Sequence, residues 1–201
     1  ALEDITRYAT NGREAVNMVQ LAAGIAQVNK SSIINKSLIE KVVNNGRFAP
    51  RLETKPGKEP IIGTVNGLAV YGANVGTLIE VEAASIPVAR GKGKWTVTGV
   101  VEEEQVGGNE RKFIRKSMAR GAVENVLTVL RSQFKLNIDD FDIHLNFPGG
   151  IPVDGPSAGV SMATAIYSSI LGRAVDYTAA MTGEISVHGK VKPVGGVISK
   201  V

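Results

Sequence analysis

No cysteine occurs in the 201 residues. Disulfides and cysteine-ligated metal sites are therefore excluded, which fits a reducing compartment. Histidine is nearly absent too: His144 and His188 are the two present. With no H-E-x-x-H spacing, a zinc site has no support and no metal ligand is expected. Aromatic residues make up 5% of the chain, too few for a stacking platform between basic groups. The net charge of +4 is spread thinly: residues 1–60 carry nine Lys/Arg against six Asp/Glu, and residues 61–201 carry fourteen against thirteen. Nucleic acid is therefore not expected as the main partner. No segment reads as a signal peptide, and the most apolar stretch, residues 160–171, is too short to span a bilayer. A Gly-x-x-x-x-Gly-Lys-Ser/Thr run is also missing, so phosphate-loop ATP hydrolysis is excluded for this chain. Gly91-Lys92-Gly93-Lys94-Trp95 shares only composition with such a loop and reads as a hairpin turn.

What is present reads as globular: 43% of residues are hydrophobic and 21% charged. The pattern divides into a helical segment over 1–46, a linker over 47–60 rich in proline and charge, and an α/β (α+β) unit over 61–201. In the first segment a helix is expected over 13–26, and another starting near Ser37 as N-cap and stopping at Asn45-Gly46. These helices look too short to bury a core by themselves, as if they ended something larger or formed a lid. In the second unit, residues 61–70, 77–81 and 94–101 read as strands, and Glu102 to Glu104 with Gly107-Gly108 as a solvated turn. A helix is expected over 109–134, with Ile114, Met118, Ala122, Val126 and Leu130 inward. Phe141, Ile143, Leu145 and Phe147 alternate with polar residues as a half-buried strand. Val160, Ala163, Thr164, Tyr167, Ile170 and Leu171 suggest the inner stripe of another helix. A hairpin turning at His188-Gly189 follows.

Ser157 stands out between the strand and the following helix. A hydroxyl there sits at the positive end of a helix dipole, beside free backbone N–H groups that can hold an oxyanion. Gly155-x-Ser157-x-Gly159 has the form of a nucleophile elbow, with Asp176 and His188 following in triad order. The context opposes that reading. Nine residues, 148–156, separate Phe147 from Ser157, and only 44 follow Ser157, too few for the rest of such a sheet. His188 falls on a hairpin tip and His144 on the polar face of a strand. Lysine is the other base. A free amine titrates near ~10.4 and must be desolvated to be neutral at physiological pH. Lys200, among Val194, Gly195, Gly196, Val197, Ile198 and Val201, has the apolar neighbours this needs.

Three segments together resemble the proteolytic domain of the Lon proteases, the ATP-dependent Ser-Lys peptidases. They are Asp154-Gly155-Pro156-Ser157-Ala158-Gly159, Met181-Thr182-Gly183-Glu184-Ile185, and Lys192-Pro193-Val194-Gly195-Gly196-Val197-Ile198-Ser199-Lys200, with Gly63-Thr64-Val65-Asn66-Gly67-Leu68-Ala69-Val70 upstream. Ile151-Pro152-Val153 and the form of residues 1–60 look more like a bacterial B-type Lon than the common A-type. The resemblance implies Ser157 as nucleophile and Lys200, 43 residues later, as general base. It implies Thr182 as the hydroxyl that orients the lysine, and Asp154 as an acid influencing whether the site is open. Residues 1–46 resemble the end of the small helical subdomain of an AAA+ module, with Arg13 where such modules carry a nucleotide sensor. The implied function is ATP-dependent endopeptidase action on unfolded or regulatory proteins. The implied setting is a cytoplasmic homohexamer, with ATP and magnesium bound in an ATPase module, no cofactor in this chain, and a membrane anchor in a missing N-terminal region not excluded. The alternative is a non-proteolytic Lon-like binding or scaffold module acting on nucleic acid or a protein partner.

Overall fold

The computed structural model describes residues 2–46, 48, 55–71, 75–99, 103–106, 113–116, 118–149 and 155–201. By its internal contacts the chain divides into two compact units, one built on the N-terminal helices and one on the sheet. No described helix is long and apolar enough to cross a membrane.

The helical unit holds α1 (Leu2–Thr6), α2 (Gly12–Val28) and α3 (Lys36–Gly46). Asn11 caps α2, its side chain accepting from Glu14 N at 3.0 Å, while Glu14 Oε2 takes the N–H and hydroxyl of Thr10, each at 2.7 Å. On α3 the cap is Asn35, whose Oδ1 accepts from Leu38 N at 3.0 Å, and not Ser37. Asn35 stands one residue before the helix and Ser37 already lies within it. Contrary to expectation, the three helices do enclose a small core of their own. Met18 and Ala22, one turn apart, pack with Ile5, Ala9, Ile39, Val42 and Val43.

The second unit is built on a five-stranded sheet. Its strands are β1 (Thr64–Tyr71), β2 (Val75–Pro87), β3 (Trp95–Thr98), β6 (Phe141–Asn146) and β7 (Ala180–Met181), in the order β3-β6-β2-β1-β7. β6 runs antiparallel to β2 and parallel to β3, and β7 runs parallel to β1. Two helices, α4 (Met118–Ser132) and α5 (Gly159–Leu171), cover one face. The alternation along β6 is as expected, with Ile143, Leu145 and the following Phe147 buried. So is the stripe Ala122, Val126 and Leu130 on α4, although Met118, expected on the same face, is exposed at its start.

Three expectations fail. Residues 103–106 are not a turn but strand β4 (Glu103–Val106), paired antiparallel with β5 (Phe113–Lys116) in register Glu103↔Lys116 and Glu104↔Arg115. The ladder hydrogen bonds to β5 hold the segment extended. The helix consequently begins at Met118 and not near 109, and Ile114 belongs to β5. On α5 the inner face is Ser161, Met162, Ala165, Ile166 and Ser168, while Tyr167 and Leu171 are exposed. The helix is apolar nearly all round, so periodicity selects no face. Two serines turn inward because each has a carbonyl acceptor. Ser161 Oγ donates to Met181 O at 3.1 Å and Ser168 Oγ to Arg173 O at 2.5 Å.

Candidate active site

Ser157 lies in a 3-10 turn, Pro156–Ala158, that runs directly into α5. Pro156 takes the first position of the turn, where its missing N–H costs nothing. The turn is clamped to the segment after β7. Gly183 N donates to Ser157 O at 2.8 Å, and Val160 N donates to Gly183 O at 3.0 Å. Close packing at two glycines makes this possible. A Cβ on Gly159 would stand 2.8 Å from Ile185 N, and one on Gly183 would stand 2.7 Å from Val160 Cγ2. β8 (Glu184–Ile185) and β9 (Val191–Lys192) then form the expected hairpin.

Lys200 ends the short helix α6 (Val197–Lys200). Its Nζ donates to Thr182 Oγ1 at 3.1 Å, and Thr182 Oγ1 donates to Ser157 O at 3.2 Å. A hydroxyl has one proton to give. Thr182 spends it on the Ser157 carbonyl and so must accept from Lys200. A neutral amine in this place would spend one N–H on Thr182 and keep its lone pair. Burial lowers the Lys200 pKa from its ordinary value, favouring that neutral form. Among the described residues Ser157 Oγ has no hydrogen-bond partner, and Lys200 Nζ is engaged with Thr182 rather than with Ser157.

The structure thus brings Ser157, Thr182 and Lys200 together. Asp154 lies outside the described residues. Arg13 is exposed near the start of α2 in the helical unit and has no bonded partner among the described residues. Neither histidine is placed as a base. His188 is exposed in the turn between β8 and β9, and the exposed His144 shares a 3.0 Å bond with Thr98 Oγ1. Asp176 closes a local turn, its Oδ1 accepting from both Thr178 N and Thr178 Oγ1. Those bonds hold its carboxyl below the usual range.

A sequence profile of the Lon protease (S16) C-terminal proteolytic domain matches residues 33–201. The chain belongs to this family. It is a family of serine peptidases, which agrees with a serine and a half-buried lysine meeting across one threonine. Relatives include "Lon protease 2" of Bacillus subtilis, 52% identical over 200 residues that cover all of this chain and 36% of the relative. "Archaeal Lon protease" of Archaeoglobus fulgidus is 32% identical over 206 residues, covering 94% of this chain and 30% of the relative. "Lon protease 1" of Thermus thermophilus is 39% identical over 150 residues, covering 72% and 17%. The chain therefore spans about a third of the length of the first two Lon relatives.

Two supporting residues escaped the sequence reading. Asn66 is buried in β1, and its Nδ2 donates to Tyr177 O at 2.6 Å and to Ala179 O at 3.4 Å, tying down the approach to β7. Ser161, one turn beyond the nucleophile candidate, ties α5 to Met181. A polar residue before glycine inside a β-rich run was the signal for Asn66. No local signal marks Ser161.

Proposed function

We propose that this chain carries the peptide-cleaving site of an ATP-dependent serine endopeptidase, with Ser157 as nucleophile and Lys200 as general base. The observation that supports it is the Lys200 Nζ to Thr182 Oγ1 bond beside the Ser157 turn. Neutral Lys200 takes the Ser157 Oγ proton once side-chain rotation brings the two within hydrogen-bond reach. Oγ attacks the peptide carbonyl, and backbone N–H groups around Ser157 stabilise the oxyanion. The tetrahedral intermediate collapses, the C–N bond breaks, and the Lys200 ammonium returns its proton to the leaving amine. Water, deprotonated by Lys200, then hydrolyses the ester and Ser157 regains its proton.

Thr182 orients the amine throughout. Asp154 influences the opening of the site. Extended polypeptide substrate adds along β7, which stands at the edge of the sheet and ends beside Thr182. In this reading residues 1–46 end an AAA+ small subdomain, 47–60 link it to the proteolytic unit, and Arg13 senses nucleotide. ATP and magnesium bind an ATPase module outside this chain, since its residues supply no phosphate loop. The whole protein works as a cytoplasmic homohexamer on unfolded or regulatory proteins.

The test is cleavage of a fluorogenic peptide and of an unfolded protein by the complete gene product that carries this chain. Ser157→Ala and Lys200→Ala are expected to abolish turnover in folded protein, while His188→Ala and His144→Ala retain it. Full activity in Lys200→Ala, or none in His188→Ala, refutes the dyad. An inert wild type with intact ATP turnover favours a scaffold role.

A further inference from the structure

The helix that carries Lys200 is held by little side-chain burial. α6 has no buried residue, and Val197 and Ile198 are 50% and 98% exposed. Its seat is made by backbone instead. The first contact is at Gly196, which caps α6 with φ +69; a Cβ there would stand 3.0 Å from Val70 Cγ2 on β1. The second is at Gly76 near the start of β2. A Cβ on Gly76 would lie 1.6 Å from Ser199 O, 2.7 Å from Ser199 C and 3.4 Å from Lys200 Cα. The obstacle is main chain, so no rotamer change relieves it. Thr77, Ile79, Val81 and Ala83 turn inward on β2, so position 76 points to the sheet face away from α4 and α5.

We infer that Gly76 is a positioning residue for the reaction: its missing side chain sets how deeply α6 seats on β2, and with it where Lys200 Nζ stands. This deepens the Ser157–Lys200 reading and rests on it. A methyl group at 76 lifts Ser199 and Lys200 off the strand by more than an ordinary contact distance allows. Lys200 then loses both its bond to Thr182 and its shielding from water. Among the described residues, Nζ bonds to the Thr182 hydroxyl. Burial is the resolved cause of its lowered pKa, so solvation moves the amine back towards the charged form at neutral pH.

The experiment is Gly76→Ala in the complete gene product, with three readouts. These are the pH profile of peptide cleavage, thermal unfolding, and the pH dependence of Lys200 acylation by acetic anhydride followed by peptide mass mapping. The expected result is a fall in kcat of about tenfold to a hundredfold near neutral pH with KM held within about twofold. The acid limb of the profile and the Lys200 acylation midpoint both move to higher pH, and part of the activity returns there. Wild-type acylation behaviour in a folded Gly76→Ala protein overturns the inference, whatever happens to cleavage. A shifted acylation midpoint with unchanged cleavage upholds the seat made by Gly76 and refutes Lys200 as base, which separates the two failures. If Gly76→Ala does not fold, Val70→Ala, which loosens the other end of the seat, is expected to move the Lys200 midpoint the same way by less. A wild-type midpoint in that variant overturns the inference as well.

Discussion

Lys200 Nζ and Thr182 Oγ1 are joined at 3.1 Å, and the same Thr182 oxygen reaches the Ser157 carbonyl at 3.2 Å. One hydroxyl therefore fixes the orientation of an amine against the turn that holds the nucleophile candidate, although the three residues come from α5's approach, the end of β7 and α6. Removing that hydroxyl while keeping the side-chain shape is the direct probe. Thr182→Val is expected to lower kcat about tenfold to a hundredfold, since the amine becomes charged as it takes the serine proton, a hydrogen bond to a charged group contributes about 1.5–3 kcal/mol, and each 1.36 kcal/mol is about tenfold in rate. Thr182→Ser should recover most of it. Full activity in Thr182→Val with a loss in Thr182→Ser, by steady-state kinetics, would assign the role to the methyl group instead.

The lowered pKa of Lys200 has two pH consequences of defined sign. Cleavage rises with pH through the folded-state value, below the ~10.4 of a free lysine. Stability goes the other way from a paired lysine. Where the unfolded chain holds the proton and the folded site disfavours it, Lys200 destabilises the fold. That penalty is fully present below the folded pKa and vanishes above the unfolded one. Lys200→Met is accordingly expected to raise the urea midpoint near neutral pH, with the gain shrinking as pH approaches the unfolded value. A gain that grows with pH contradicts the direction of the shift.

Gly159→Ala tests the clamp between α5 and β8. The added methyl meets Ile185 N at 2.8 Å and Gly183 O at 3.1 Å, both main chain. Overpacking of this kind costs about 1–3 kcal/mol, to be read from urea unfolding. Cleavage should fall as well, because the same shift moves Gly183 away from the Ser157 carbonyl that it holds at 2.8 Å.

Asn66→Ala leaves the carbonyls of Tyr177 and Ala179 without their buried donor. The expected loss is about 1–3 kcal/mol. Hydrogen exchange should show the β7 amides opening before those of β2, since β7 depends on this tether and β2 is paired on both sides. Uniform opening would place the role of Asn66 in global stability alone.

Strong local patterns were legible in the sequence. The alternation of β6 and the stripe on α4 survive because one face of each meets a continuous apolar core. Where both faces of an element are apolar, as on α5, periodicity carried no phase: Ala163 and Ile170 do pack against the core, while Tyr167 and Leu171, placed inward with them, are exposed. Where the charge pattern dominated, as at Glu103 and Glu104, a strand passed for a turn, because the strand it pairs with lies at residues 113–116, outside the local pattern. The cap of α3 was displaced by two residues since Asn35 and Ser37 are both good capping types, and only the backbone decides which precedes the first turn.

Residue chemistry and spacing by themselves named the candidate groups. Without cysteine and with both histidines at positions that read as surface, lysine was the base left for a serine candidate, and the motif around Ser157 pointed to the family. Tertiary structure alone decided how those groups stand. Thr182 between Lys200 and Ser157, the desolvation of the amine, and the backbone of Ser199 against Gly76 join positions 18 to 123 residues apart. Such contacts depend on how β1, β2, β7 and α6 pack, and side-chain periodicity within one element carries no record of which backbone will lie against it.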